Sequence, residues 1–144
     1  MKIYFAASIR GGRENQETHA LVIGELQKYG EVLTEHIADK NLTNRGEINH
    51  TEKYIFERDT AWIRECNVLI AEVTTPSLGV GYEIGYAESL KKPILCLYRQ
   101  TEGKLLSGMI LGDSAIETQI YKDLTELPDI LDKYFTKLIL SKIL

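Results

Sequence analysis

Residues 67–90 read NVLIAEVTTPSLGVGYEIGYAESL, and this stretch decides the fold. Positions 68–73 read as a buried strand, the Thr-, Pro-, Ser- and Gly-rich segment after them as a turn, and the remainder as a helix. Glu83 falls in the first turns of that helix. An acid placed where a strand hands over to a helix sits at the carboxyl end of a sheet, the crevice in which open α/β folds bind ligands. Glu83 is therefore the first candidate for a catalytic carboxylate, and the loop before it the first candidate for holding a substrate.

On the N-terminal side, the apolar run 2–7 starts almost at residue one and reads as a central strand. SIRGGR (8–13) breaks it. A helix follows over 14–29, with Thr18, Leu21, Val22, Leu26 and Tyr29 near one face, His19 on the exposed face and Gly30 as the stop. Residues 31–34 form a short second strand, and 35–50 are polar and without periodicity, a loop free to move. The second helix spans 52–66, capped by Thr51 or Asn49, with an apolar stripe of Ile55, Phe56, Trp62, Ile63 and Cys66. In the helix of the opening stretch the apolar face is Val80, Ile84, Ala87 and Leu90, so Tyr82, Glu83 and Tyr86 point away from the core.

On the C-terminal side, KKP (91–93) closes that helix and 94–98 is another strand. A short helix over 105–111, an edge strand over 118–121 and an amphipathic helix over 128–140 complete the chain. Alternating strands and helices imply right-handed crossovers and a parallel sheet covered on both faces. The expected architecture is α/β: a Rossmann-like three-layer sandwich whose five-stranded parallel sheet has flavodoxin-like order, as a single domain over 1–144.

A chain of 144 residues is long enough for a real core, and 44% hydrophobic with 26% charged residues is ordinary for a globular protein. A net charge of −4 argues against broad nucleic-acid binding but leaves room for a local anion pocket. Cys66 and Cys96 fall at apolar positions and read as buried free thiols, which suits a reducing compartment. No signal peptide and no membrane-length apolar run is visible, so the expectation is a cytoplasmic chain with neither nucleic-acid nor membrane partners.

Asp59 stands four residues after Ile55 and three before Trp62, inside an apolar stripe. It is either a helix-face acid bonded to a neighbouring turn or a functional carboxylate, since burying an unpaired charge is costly. Glu83 has a similar alternative, a first-turn acid favoured by the helix dipole. Two carboxylates at one crevice are the minimum equipment for glycosyl transfer. The loop 8–13 offers a hydroxyl, two glycines and two guanidinium groups at a helix N-terminus, either an anion site suited to phosphate or a glycine-rich turn with solvated arginines. Ser77, Gly79 and Gly81 face it from the neighbouring strand's loop. A dinucleotide fingerprint fits poorly, because in GVGYEIG (79–85) the third glycine comes one residue late and the next strand ends YRQ, without an acid for the ribose. His19, His36 and His50 share no metal-ligand spacing, although His36 is placed to reach the crevice.

YFAASIRGGRE, VLTEH, the ERDTAW helix, VTTPSLGVGYEIG and LLSGMI together closely resemble the 2′-deoxynucleoside 5′-phosphate N-hydrolases, within the nucleoside 2-deoxyribosyltransferase superfamily. The likeness covers nearly the whole chain. It implies a homodimer with a Rossmann-like sheet, no cofactor or metal, and cleavage of the N-glycosidic bond of a small-molecule substrate, a deoxynucleoside 5′-monophosphate. Glu83 matches the family's nucleophile, Asp59 its second essential carboxylate and Tyr4 the tyrosine beside the deoxyribose. Ser8, Ile9, Arg10, Gly11, Ser77 and Gly79 match phosphate-binding positions. Ser107 matches a serine that completes the partner subunit's site, with Gly108 and Met109 beside it, and His36 a histidine of the substrate pocket. Leu111 departs from a basic residue in relatives, Ala7 from a frequent Gly and Gly108 from Ala. By this resemblance ionised Glu83 attacks the anomeric carbon, while Asp59 either orients Glu83 or manages the leaving-group proton. Two other readings stay open: a transferase that passes the sugar to a second base, and a non-catalytic nucleotide-binding module.

Overall fold

The computed structural model describes residues 1–9, 14–39, 42 and 46–143. Its strands β1 (Lys2–Ala7), β2 (Glu31–Val32), β3 (Val68–Glu72), β4 (Ile94–Arg99) and β5 (Glu117–Tyr121) are all parallel, in the order β2-β1-β3-β4-β5. This is the flavodoxin-like order expected from the sequence. The order reverses between β1 and β3, so the ligand crevice of such a sheet lies at the carboxyl ends of those two strands.

Strand alternation builds two cores. Ile3, Phe5, Ile70, Leu95 and Leu97 face α1 (Glu14–Leu26) and α5 (Leu127–Ile143). Tyr4, Ala6, Leu69, Ala71 and Cys96 face α2 (Glu52–Glu65) and α3 (Leu78–Ser89). A one-turn helix α4 (Gly108–Leu111) adds Ile110 to the second core. Burial on both faces is why the central strands read as continuous apolar runs.

Side chains finish what short backbone elements leave open. β2 stops after two residues, yet the Thr34 hydroxyl accepts from the Phe5 N–H at 2.9 Å and donates to the Phe5 carbonyl at 2.7 Å. It thereby replaces one rung of the ladder next to the crevice. Gly30 is required by close approach, because a Cβ there would lie 2.0 Å from the Met1 carbonyl oxygen. Across the crevice, Asn15 at the start of α1 donates to Thr75 at 2.9 Å and ties that helix to the β3–α3 loop.

Several expectations need correction. His19 is not exposed: it is 3% accessible and packs edge-on against Phe5, because α1 turns Thr18, His19, Val22, Ile23 and Leu26 toward the sheet. α1 ends at Leu26, and Tyr29 stacks on Phe135 from the turn beyond it. In α2 the burial falls on Thr60 and Ile63, followed by Cys66. Phe56 is 53% exposed, since the first turns of α2 reach past the sheet. Leu90 is exposed as well, past the last buried turn of α3. The segment after β2 carries a 3₁₀ turn, Glu35–Ala38, pinned by buried Ile37. The short helix starts at Gly108, leaving Leu105 fully outside it. Cys66 and Cys96 are buried and free.

Candidate active site

Ser77 opens α3 by accepting from the Val80 N–H at 3.3 Å, and Val80, Ile84 and Ala87 bury its inner face. That rotation leaves Glu83 partly buried at the edge of the face, above Tyr4 of β1. Tyr4 is 1% exposed, and its hydroxyl donates to Glu83 Oε1 at 2.5 Å. Burial pushes the Glu83 carboxyl up to about 7; the Tyr4 hydrogen bond pulls it down, and the charge of Asp59 pushes it up further. Burial, then Glu83 and Asp59, hold the Tyr4 phenol far above its ordinary range, so it stays a neutral donor.

Asp59 on α2 is held by its sequence neighbour. Arg58 Nε donates to Asp59 Oδ1 at 2.8 Å. The same guanidinium grips Glu47 bidentately, at 2.6 and 2.7 Å, and lies 4.8 Å from the Trp62 ring centroid and 5.7 Å from that of Tyr54. Burial raises the proton affinity of Asp59; Arg58 lowers it and Glu47 raises it. His36 joins the cluster with Nε2 3.6 Å from Glu47 and its ring 5.8 Å from Trp62. Burial lowers the His36 pKa below its ordinary 6.5, which keeps the imidazole mostly neutral at pH 7.

Tyr4 and Glu83 are bonded to each other, the charge of Asp59 acts on both, and His36 stands near Asp59. Ser8 is buried at the end of β1, and Ile9 follows half-buried. Arg10 and Gly11 lie outside the described residues. Ser107 caps α4 by accepting from the Met109 N–H at 3.2 Å. It shares an apolar groove with Ser77, Val80, Tyr98 and Met109, and neither Tyr4, Asp59 nor Glu83 lines that groove. Within one chain, Ser107, Gly108 and Met109 therefore do not join the carboxylate cluster.

Three acids and bases escaped the sequence reading. Arg58 and Glu47 left one signal, a cation directly before a suspect acid in ERD. Glu72 left another, an acid inside an apolar strand. It is 3% exposed, accepts from the hydroxyls of Thr74 and, at 3.3 Å, Tyr121, and so pins the loop that leads to Ser77. Among the described residues no group of His, Cys, Asp or Glu side chains is arranged to hold a metal ion.

An open parallel sheet with a buried tyrosine and two carboxylates near its switch point is an α/β architecture that sets two acids at the crevice such sheets use for ligands. The family model for nucleoside 2-deoxyribosyltransferase matches residues 3–121, and the chain belongs to that family. It is 47% identical over 141 residues to the 5-hydroxymethyl-dUMP N-hydrolase of Danio rerio, covering 96% of this chain and 98% of that one. The mouse (Mus musculus) protein of the same name is 48% identical over 137 residues, covering 92% and 79%. Among solved structures, the CMP N-glycosidase of Clostridium botulinum superposes with a TM-score of 0.63, covering 92% of this chain and 99% of that one at 21% identity, a likeness of fold.

Proposed function

We propose that the protein hydrolyses the N-glycosidic bond of 2′-deoxynucleoside 5′-monophosphates, releasing the free base and 2-deoxyribose 5-phosphate. The observation that carries this reading is the Tyr4–Glu83 hydrogen bond, 2.5 Å long at the switch point, in a chain whose relatives are named as N-hydrolases of such a nucleotide.

A Glu83 oxygen attacks the anomeric carbon on the face opposite the base, and the bond to the base nitrogen breaks with its electron pair leaving on the base. The base takes up a proton from Asp59, whose raised proton affinity suits that task. Water then attacks the same carbon, returns a proton to Asp59 and frees the Glu83 carboxylate. Tyr4 stabilises the ionised form of Glu83 and closes the space beside the sugar's second carbon, where a ribose hydroxyl would need room. Ser8, Ile9, Arg10, Gly11, Ser77 and Gly79 hold the 5′-phosphate, and His36 lines the base side.

The active unit in this reading is a homodimer in which Ser107, with Gly108 and Met109, completes the partner's phosphate site. Supporting it, Leu78 and Leu105 are each 97% exposed and Met109 is 83% exposed, while Gly81 and Gly85 leave open space along the same outer face of α3. Two buried free thiols suit a reducing compartment such as the cytoplasm. Among the described residues no helix is long and apolar enough to cross a membrane.

The test is base release from a panel of deoxynucleoside monophosphates including 5-hydroxymethyl-dUMP, beside matching ribonucleotides and unphosphorylated nucleosides, with a second free base present. Hydrolysis confined to the deoxynucleotides is expected. Exchange of one base for the other, in place of free deoxyribose 5-phosphate, points to a transferase, and an unreactive panel points to a binding module.

A further inference from the structure

We propose that Arg58 and Glu47 are positioning residues that act through Asp59, and that the segment at 46–50 which carries Glu47 is thereby part of the catalytic apparatus. The inference rests on the reading of Asp59 as the second working carboxylate. One cation stands between two acids. Glu47 accepts from Nη1 and Nη2 of the guanidinium, and Asp59 Oδ1 accepts from Nε at 2.8 Å and also lies 2.8 Å from Nη2. The three side chains are only 13%, 12% and 21% exposed for Arg58, Glu47 and Asp59, and the rings of Trp62 and Tyr54 hold the guanidinium plane. An Arg held this way cannot swing toward solvent and leave Asp59 to turn. If one acid sufficed to anchor it, the second would be an unneeded burial of charge.

The arrangement fixes charge as well as position. The groups facing Asp59 are Arg58 on its own helix, Glu47 from the segment before it, His36 from the 3₁₀ turn, and Tyr4 and Glu83 across the crevice. Arg58 favours the ionised carboxylate and Glu47 opposes it, so the two have opposite signs at Asp59. Neutral His36 contributes little at pH 7. Loss of Arg58 should make Asp59 harder to ionise, and loss of the Glu47 charge should make it easier. Charge alone dictates those signs, so what separates positioning from mere anchoring of the segment is the accompanying loss of kcat at nearly unchanged KM.

The experiment follows the Asp59 carboxyl carbon by NMR in the unliganded full chain, with Asp59→Asn to assign the signal, and measures the pH profile of base release in parallel. Arg58→Met should raise the Asp59 midpoint by about one unit or more, and Glu47→Gln should lower it. The corresponding limb of the pH profile should follow each shift, with kcat falling at least tenfold in Arg58→Met and KM nearly unchanged. Arg58→Lys, which keeps the charge without the fork, should restore the midpoint more than the rate. Unmoved midpoints, midpoints moved in the same direction, or shifted midpoints with unaltered kcat each overturn the proposal. If Arg58→Met does not fold, Glu47→Gln still decides it. Failure of the wild type to release base from any deoxynucleotide overturns the proposed reaction instead, and the NMR titration stands apart from that outcome.

Discussion

Removing one oxygen atom, by Tyr4→Phe, tests the heart of the site. The ring is 1% exposed in the sheet's second core, and phenylalanine fills the same volume, so packing is preserved. What is lost is a 2.5 Å hydrogen bond to Glu83 Oε1. A hydrogen bond to a charged acceptor contributes roughly 1.5–3 kcal/mol, or about 10- to 150-fold in an equilibrium. That bond favours ionised Glu83, so its removal should raise a carboxyl already at about 7 by roughly one to two units. At neutral pH the ionised fraction of Glu83 then drops from about one half to about one tenth or less, and base release drops with it. The assay is kcat/KM for base release across a broad pH range, in wild type and Tyr4→Phe. The acid limb should move to higher pH, with much of the loss recovered in alkaline buffer. A Tyr4→Phe profile that overlays the wild type would refute the reasoning, because Glu83 would then owe nothing to Tyr4.

Glu83→Gln should abolish base release yet stabilise the fold above pH 7. A carboxyl raised from its ordinary 4.5 to about 7 makes the native state lose stability as pH climbs between those values, up to about 3 kcal/mol. Denaturant midpoints of Glu83→Gln and wild type should therefore converge near pH 4.5 and separate above it. His19 works in the other direction: burial lowers it to about 4, so stability is lost as pH falls from 6.5 toward 4. His19→Leu should remove up to about 3 kcal/mol of that acid sensitivity, read from unfolding midpoints at pH 7 and near pH 4.5. Ser77→Ala removes the cap of α3 and should cost about 1 kcal/mol of stability. If Ser77 also holds phosphate, the variant raises KM for the nucleotide while leaving the weak reaction of the nucleoside unchanged.

Glu83 was legible because a strand, a turn and a helix are punctuated locally, and that punctuation places residue 83 at the carboxyl end of the sheet. Asp59 was legible because helical spacing put an acid among apolar residues. Its partners were not. The Arg58–Glu47 pair joins a helix to a segment without periodicity, and no local pattern reveals a tertiary ion pair. His19 was misplaced because a histidine scores as polar, although it lies four residues before Ile23 and seven before Leu26, a spacing that already placed it on the buried face. Phe56 was misplaced for the converse reason: a stripe records which side of a helix is apolar, not where the sheet beneath it ends. Ser107 shows a third limit. Its capping role is local and visible, whereas a place in another chain's crevice would be a matter of assembly, which no local pattern records.

The measurement that bears most directly on Glu83 as a covalent nucleophile is the anomeric configuration of the methyl glycoside formed when methanol competes with water for the sugar. Attack by Glu83 followed by attack of methanol inverts the carbon twice, so the account predicts retention of the configuration of the nucleotide. An inverted methyl glycoside would mean that solvent displaces the base directly, and it would contradict the role given to Glu83.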